Sequence, residues 1–237
     1  TSIFARVASG ISQLYAIKFF LNNLSENEYS ALILLLGYLP ILFLFEFGFS
    51  QTIQNKFNQR AIKANDSIKI LFFHFIALLM VSLFVANTEL LPRLLLSDSL
   101  LSEEIIRNFS IGAALLILTS NSIVLKRVLI LLNRANLYSA LILIQSILQI
   151  TGLYIYSQEG NITQLLSMIF YIGPGLLLSL ILLFTLVVRL IPIRNSSPVD
   201  KKGFLRISSS FFILEAMTAL LVSIDYFFLS MQNNSKE

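Results

Sequence analysis

A few ionisable and amide side chains set inside long apolar stretches are the residues of this chain equipped for chemistry. A charge placed centrally in a membrane-spanning helix costs about 2.5–3.5 kcal/mol on insertion scales, so each one asks for a partner, an ion or a wet cavity. Glu215 and Asp225 lie on one side of a helix, about 80° apart at 100° per residue, with Thr218 and Val222 between them. Carboxylates in that setting suit a proton or a bound cation, and both are ion-coupling candidates. Lys18, with Gln13 and Ser9, gives another stretch a polar side; its ammonium either lines a cavity or snorkels to the interface. Arg107, Ser110, Ala114 and Asn121 recur at helical spacing, as do Tyr138, Gln145, Gln149, Gly152 and Tyr156. Each set forms one helix face. Lys18, Gln13, Arg107, Asn121, Gln145 and Gln149 are therefore the substrate or cavity candidates. Arg107 has interfacial anchoring as its alternative, and the two glutamines have simple helix–helix bonding as theirs. Arg6 reads as an interfacial anchor, and His74, among aromatic neighbours, as a packing residue.

The elements that must position these residues are apolar stretches of spanning length, expected at about residues 4–24, 29–48, 69–88, 105–125, 137–157, 165–188 and 207–230. Lys and Arg collect in the second, fourth and sixth gaps: Lys56, Arg60, Lys63 and Lys69, then Lys126, Arg127 and Arg134, then Arg189, Arg194, Lys201, Lys202 and Arg206. The first, third and fifth gaps hold Arg93 alone among Glu26, Glu28, Glu89, Asp98, Glu103, Glu104 and Glu159. By the positive-inside rule the basic gaps, and the N-terminus, face the cytoplasm.

Composition agrees. Of the 237 residues 56% are hydrophobic and 13% charged, against roughly 25% charged in soluble domains. The net charge of +4 sits in short loops, where it reports topology and contact with anionic membrane lipids rather than with nucleic acid. Cysteine is absent and His74 is the single histidine, which removes disulfides, zinc sites, thiol chemistry and nearly every His-based catalytic arrangement. No signal-peptide cleavage pattern and no Gly-rich phosphate loop are present, and no cofactor, metal or catalytic residue is expected.

Two stretches carry helix breakers: Gly37 with Pro40, and Gly173-Pro174-Gly175. Broken backbone facing lipid would strand polar groups, so these breaks face protein or water. Pro40 has a plain packing kink as its alternative; Gly173, Pro174 and Gly175 form the hinge candidate. Residues 51–68 are expected to form a short cytoplasmic helix and residues 89–104 to lie in the interface. Arg6, Ser9 and Leu14 recur as Arg206, Ser209 and Leu214, an echo that makes the seventh stretch the opening helix of a second bundle. The expected division is a six-helix lobe over 1–190, a cytoplasmic linker over 191–206 and the first helix of a truncated second lobe over 207–237. The chain is read as a fragment lacking a short N-terminal and a longer C-terminal segment. Its seventh helix is expected to sit loosely, with Glu215 and Asp225 lacking partners.

Leu24, Ser25, Glu28 and Tyr29 after the first stretch, and Glu46, Phe47, Gly48, Phe49, Gln54 and Asn55 at the end of the second, resemble motifs of the polysaccharide flippases of the MOP exporter superfamily, in particular O-antigen translocases. KRVLILLNRANLY after the fourth stretch and Asp225 in SIDYFFLS are further echoes. The family more often has Asp where this chain has Glu46. The motifs cover about 30 residues of a chain that matches the family in topology. The resemblance implies an all-α polytopic membrane bundle, two six-helix lobes around a cavity that opens alternately to the two sides. It implies transport of undecaprenyl-diphosphate-linked oligosaccharide across the bacterial inner membrane, with a glycan polymerase as a partner. Lys18 and Arg107 would then attract diphosphate or acidic sugar. Glu46 and Gly48 are gate candidates; read from the residues alone, Gly48 gives a tight helix exit and Glu46 a cap or an ion pair with the following helix.

A MATE-like drug or cation antiporter is the second reading. A membrane-embedded glycan polymerase or ligase is the third, disfavoured because no outer gap exceeds about 16 residues, too short to bear a catalytic loop of the usual size.

Overall fold

A computed structural model of the chain describes residues 2–58, 64–96, 100, 102–158, 162–190, 203–204 and 206–219. Among them every regular element is a helix: α1 (Ser2–Asn23), α2 (Glu26–Gly37), the single turn α3 (Leu39–Leu42), a 3-10 turn (Phe43–Glu46), α4 (Phe49–Asn58), α5 (Ala64–Ala86), α6 (Leu90–Leu95), α7 (Glu103–Thr119), α8 (Asn121–Leu131), α9 (Ala135–Tyr156) and α10 (Gln164–Leu190). Residues 206–219 form a last helix, α11.

Local chemistry sets several boundaries. Ser25 and Glu28 make a reciprocal capping box at the start of α2: the Ser25 side chain accepts from the Glu28 N–H at 3.4 Å and the Ser25 N–H donates to the Glu28 carboxylate at 3.0 Å. The Leu-Ser-x-x-Glu-Tyr turn is thus a helix start with a physical reason for its Ser and Glu. Ser102 caps α7 in the same manner, its side chain accepting from the Ile105 N–H at 3.3 Å. At the other end of α2, Pro40 offers no N–H and cannot continue a regular ladder. The chain takes one turn in α3, tightens into the 3-10 turn, and leaves through Phe47 and Gly48, both at positive φ.

α9 lies between α1 and α10, α7 between α5 and α10, and α4 rests on α8. Two cores result. The larger holds Phe20, Leu35, Phe109, Ile117, Tyr156 and Met168. The smaller, at the end where Lys56, Lys126 and Arg134 gather, holds Ile53, Leu71, Val124, Leu125, Leu129 and Phe204.

Four stretches are long and apolar enough to cross a membrane among the described residues: Ser67–Ala86, Glu103–Leu131, Ala135–Tyr156 and Gln164–Leu186. They coincide with the third to sixth expected spans, and the chain is a helical membrane protein. The expected seven-span arrangement is not what the helices display. α1 has 22 residues, about 33 Å at 1.5 Å per residue, but Arg6, Gln13 and Lys18 dilute its apolar character. The second expected span is not one helix, because Pro40 and the Glu46–Gly48 corner divide it. The seventh is described only as far as residue 219, and Asp225 lies outside the described residues, as does all but the end of the 191–206 linker. The helix expected over 51–68 is present in part as α4, and the 89–104 segment folds in part as α6, where Arg93 pairs with Glu89 one turn away.

α11 does not sit loosely. A Cβ at Gly48 would stand 2.6 Å from the Ser208 carbonyl oxygen, 2.9 Å from Phe211 Cβ and 2.9 Å from the Phe212 nitrogen. Helix backbone rests directly on that glycine. Ser208 Oγ donates to Thr52 Oγ1 at 2.9 Å, and the Phe47 and Phe212 rings lie 5.8 Å apart. Small residues permit such close approach between membrane helices, where packing rather than the hydrophobic effect holds them together.

Candidate functional site

The Glu46–Gly48 corner, α8 and α11 line an open cleft of about 360 Å³. Its polar lining comes from three separated parts of the chain: Glu46, Ser50 and Gln51 from the corner and α4, Arg127 from α8, and Glu215 and Thr218 from α11. Glu46 is 3% exposed. Ser50, one helical turn on, donates to its Oε1 at 2.6 Å, while Oε2 accepts no hydrogen bond. Glu215 faces Gln51 and Glu46, and Arg127 is close enough to act electrostatically on both carboxylates. One guanidinium thus faces two carboxyl groups that are near enough to hydrogen-bond each other. Glu215 was expected to lack a partner; α11 instead places it in company with Glu46 and Arg127.

A buried polar pair lies just behind this cavity. His74 is buried, with Nδ1 3.2 Å from Asn121 Oδ1, and the Phe49 ring stands edge-on to its imidazole at 4.9 Å. Asn121 opens α8 just after the α7 helix breaks at Ser120. Its side-chain nitrogen is buried without a hydrogen-bond partner.

At the other end of the α7–α8 rod, Asn87, Thr88, Glu89, Glu103, Glu104 and Arg107 line a cavity of about 730 Å³. Ser110 Oγ donates to the Thr88 carbonyl at its floor, at 3.0 Å. Arg107 itself is exposed. Twenty residues separate Arg107 from Arg127, a rise of about 30 Å along a helix, which equals the hydrocarbon thickness of a bilayer.

The α9 stripe is a seam between helices. Gln149 accepts from Ser12 Oγ of α1 at 2.9 Å and donates to the Tyr171 carbonyl of α10 at 2.6 Å. A Cβ on Gly175 would meet the Gln145 amide nitrogen at 2.7 Å, and one on Gly152 the Phe170 ring at 3.1 Å. Tyr156 Oη accepts from the Thr163 N–H at 2.7 Å, and Lys126 lies 5.5 Å from the Tyr138 ring centroid. α10 runs unbroken through Gly173, Pro174 and Gly175. Lys18 and Gln13 are exposed on α1, away from the Ser12, Ala16 and Phe19 side that packs inward.

Spacing could not reveal the site's central contact. Arg127 reads as one of many topology-setting basic residues, and nothing in a linear pattern joins it to Glu46 and Glu215. The available signal was that Glu46 and Glu215 are acidic residues in otherwise apolar surroundings. Comparison with family models, curated proteins and solved structures found no match to this chain.

Proposed function

We propose that this protein is a flippase of the bacterial inner membrane, with the N-terminus in the cytoplasm, that carries undecaprenyl-diphosphate-linked O-antigen or related oligosaccharide units across the bilayer by alternating access. The observation that carries the reading is the charged cavity at the basic end, where α11 closes on the Glu46–Gly48 corner around Glu46, Arg127 and Glu215. A buried carboxyl beside partly exposed charged groups, Glu46 beside Arg127 and Glu215, is costly in a membrane protein and marks a moving or ion-responsive part. A second, more polar pocket about one bilayer thickness away along α7–α8 provides the opposite entrance. Packed apolar residues fill the interval, among them Leu35, Phe109, Ile117 and Met168. In this reading α1 to α10 belong to one lobe of a MOP-type transporter and α11 opens the next, with Lys18, Gln13 and Arg107 meeting diphosphate or sugar.

The sugar headgroup cannot cross the hydrocarbon unaided, so loss of a flippase strands lipid-linked units in the inner leaflet. Deletion of the gene in the producing organism is expected to abolish surface polysaccharide and to accumulate undecaprenyl-diphosphate-linked oligosaccharide. Unchanged display would overturn the proposal. The MATE-like antiporter is kept as the second reading because two carboxylates share one cavity; it predicts normal polysaccharide and raised sensitivity to cationic compounds.

A further inference from the structure

We propose that the turn between α8 and α9 is a docking site for one anionic phospholipid of the phosphatidylglycerol type, its phosphate held between Lys126 and Arg134 and an acyl chain laid along α9. The site stands on the geometry of that turn and does not depend on what the protein carries. α8 ends in a Schellman motif: the Asn133 N–H donates to the Ile130 carbonyl at 3.0 Å and the Arg134 N–H to the Leu129 carbonyl at 2.8 Å. Asn133 takes the left-handed conformation that the motif requires, at φ 56°. Backbone bonds therefore fix the reversal, and they set Arg134 just before α9. Tyr138 follows Arg134 by four residues and shares its side of the helix. From α8, Lys126 Nζ comes within 5.5 Å of the Tyr138 ring centroid, a cation–π contact that holds the ammonium in place. Two cations from different sides of one turn thus flank a single ring.

No carboxylate competes for these cations locally. Residues 121–156, which make up α8, the turn and α9, contain neither Asp nor Glu, and among the described residues neither Lys126 nor Arg134 forms an ion pair. Both side chains are exposed. The neighbouring Arg127 is turned instead into the cleft with Glu46 and Glu215, and Lys56 is half-buried on α4. A phosphodiester supplies the acceptor oxygens that an ammonium and a guanidinium need. The surface next to the turn decides between a lipid and a soluble anion. Leu137, Ile144 and Leu148 follow Arg134 at offsets of 3, 10 and 14, within about 80° of it at 100° per residue, and all three are exposed. Ile144 lies about 15 Å along the helix from Arg134, half of the roughly 30 Å hydrocarbon core and so the depth of one leaflet. A soluble phosphate would meet the cations alone, whereas a lipid uses the cations and the apolar track together.

The test titrates the purified full chain in detergent, at fixed pH and low salt, with phosphatidylglycerol, with phosphatidylcholine of the same acyl chains and with glycerol 3-phosphate. Native mass spectrometry counts what stays bound. Phosphatidylglycerol is expected to bind saturably and more tightly than phosphatidylcholine. Lys126→Gln and Arg134→Gln are each expected to weaken it about fivefold, and the double variant about 25-fold. Arg134→Lys, which keeps the charge, and Arg93→Gln, at the opposite end, are expected to stay within about twofold of wild type. Should a Gln variant fail to accumulate, salt reads the same site in the wild type, since about 0.5 M salt screens exposed charges and should weaken the phosphatidylglycerol complex alone. Equal binding of the two lipids, salt-independent binding, or phosphatidylglycerol affinity unchanged in the double variant would each overturn the proposal. Glycerol 3-phosphate binding as tightly as the lipid would overturn it too, by assigning the turn to a soluble anion.

Discussion

At Gly48 a φ of 67° coincides with helix backbone 2.6 Å from where a Cβ would stand. The left-handed conformation alone costs a non-glycine residue about 1–2 kcal/mol, and overpacking against backbone adds about 1–3 kcal/mol. Gly48→Ala is expected to lower stability in detergent by about 2–5 kcal/mol on those two terms and to expose α11 to proteolysis; an unfolding temperature equal to wild type would contradict the close contact. Gln149 bridges α1 and α10 through Ser12 and the Tyr171 carbonyl, so Gln149→Leu should cost about 1 kcal/mol, in line with interhelical bonds in membranes. Gln13→Leu, on the exposed side of α1, should stay within about 0.5 kcal/mol of wild type. Thermal unfolding of the two variants side by side checks the difference. Lys18 is exposed on that same helix, where charge reversal leaves packing untouched. Lys18→Glu should abolish polysaccharide display at normal membrane abundance, and equal display would assign the lysine to the interface.

Helices were legible in the sequence where apolar character is continuous. The third to sixth spans coincide with Ser67–Ala86, Glu103–Leu131, Ala135–Tyr156 and Gln164–Leu186 because each is a continuous apolar run of spanning length, divided only at Ser120 where α7 gives way to α8. The second failed as a single helix because Pro40 and the Phe47–Gly48 reversal divide an apolar run that hydropathy reads as one. Hydropathy counts side chains, whereas that division comes from backbone donors and dihedral angles. Pro174 had the opposite outcome, since α10 continues through it. Polar stripes were legible as faces, but their partners were not: Gln149 and Asn121 meet Tyr171 and His74 through tertiary packing that no helical period encodes. The convergence of Glu46, Arg127 and Glu215 was invisible for the same reason. The corner predicts an element-scale outcome as well. A disulfide between cysteines at Thr52 and Ser208, whose hydroxyls are 2.9 Å apart, should lock α11 to α4 and arrest transport, with activity restored on reduction. Activity unaffected by the cross-link would show that this contact does not open.

Over the whole molecule, charge distribution and cavities give one consistent arrangement. Lys56, Lys126, Arg127 and Arg134 mark one end, Glu26, Glu28, Glu89, Glu103 and Glu104 the other, and each end holds an open pocket with charged residues in its lining. Reporter fusions after residues 62 and 131 should score cytoplasmic and those after 25, 98 and 160 periplasmic; any inversion would overturn the orientation proposed from the basic gaps. The central claim is that lipid-linked oligosaccharide crosses the bilayer on this protein, and leaflet exchange measures that step itself. The protein together with the second lobe that the proposed reading requires would be reconstituted in liposomes with a fluorescent undecaprenyl-diphosphate oligosaccharide, and a membrane-impermeant quencher added from outside. The account predicts quenching well beyond the outer-leaflet share, reduced by Lys18→Glu and by the Thr52–Ser208 cross-link. Quenching that stops at the outer-leaflet share, in vesicles containing folded protein, would contradict it.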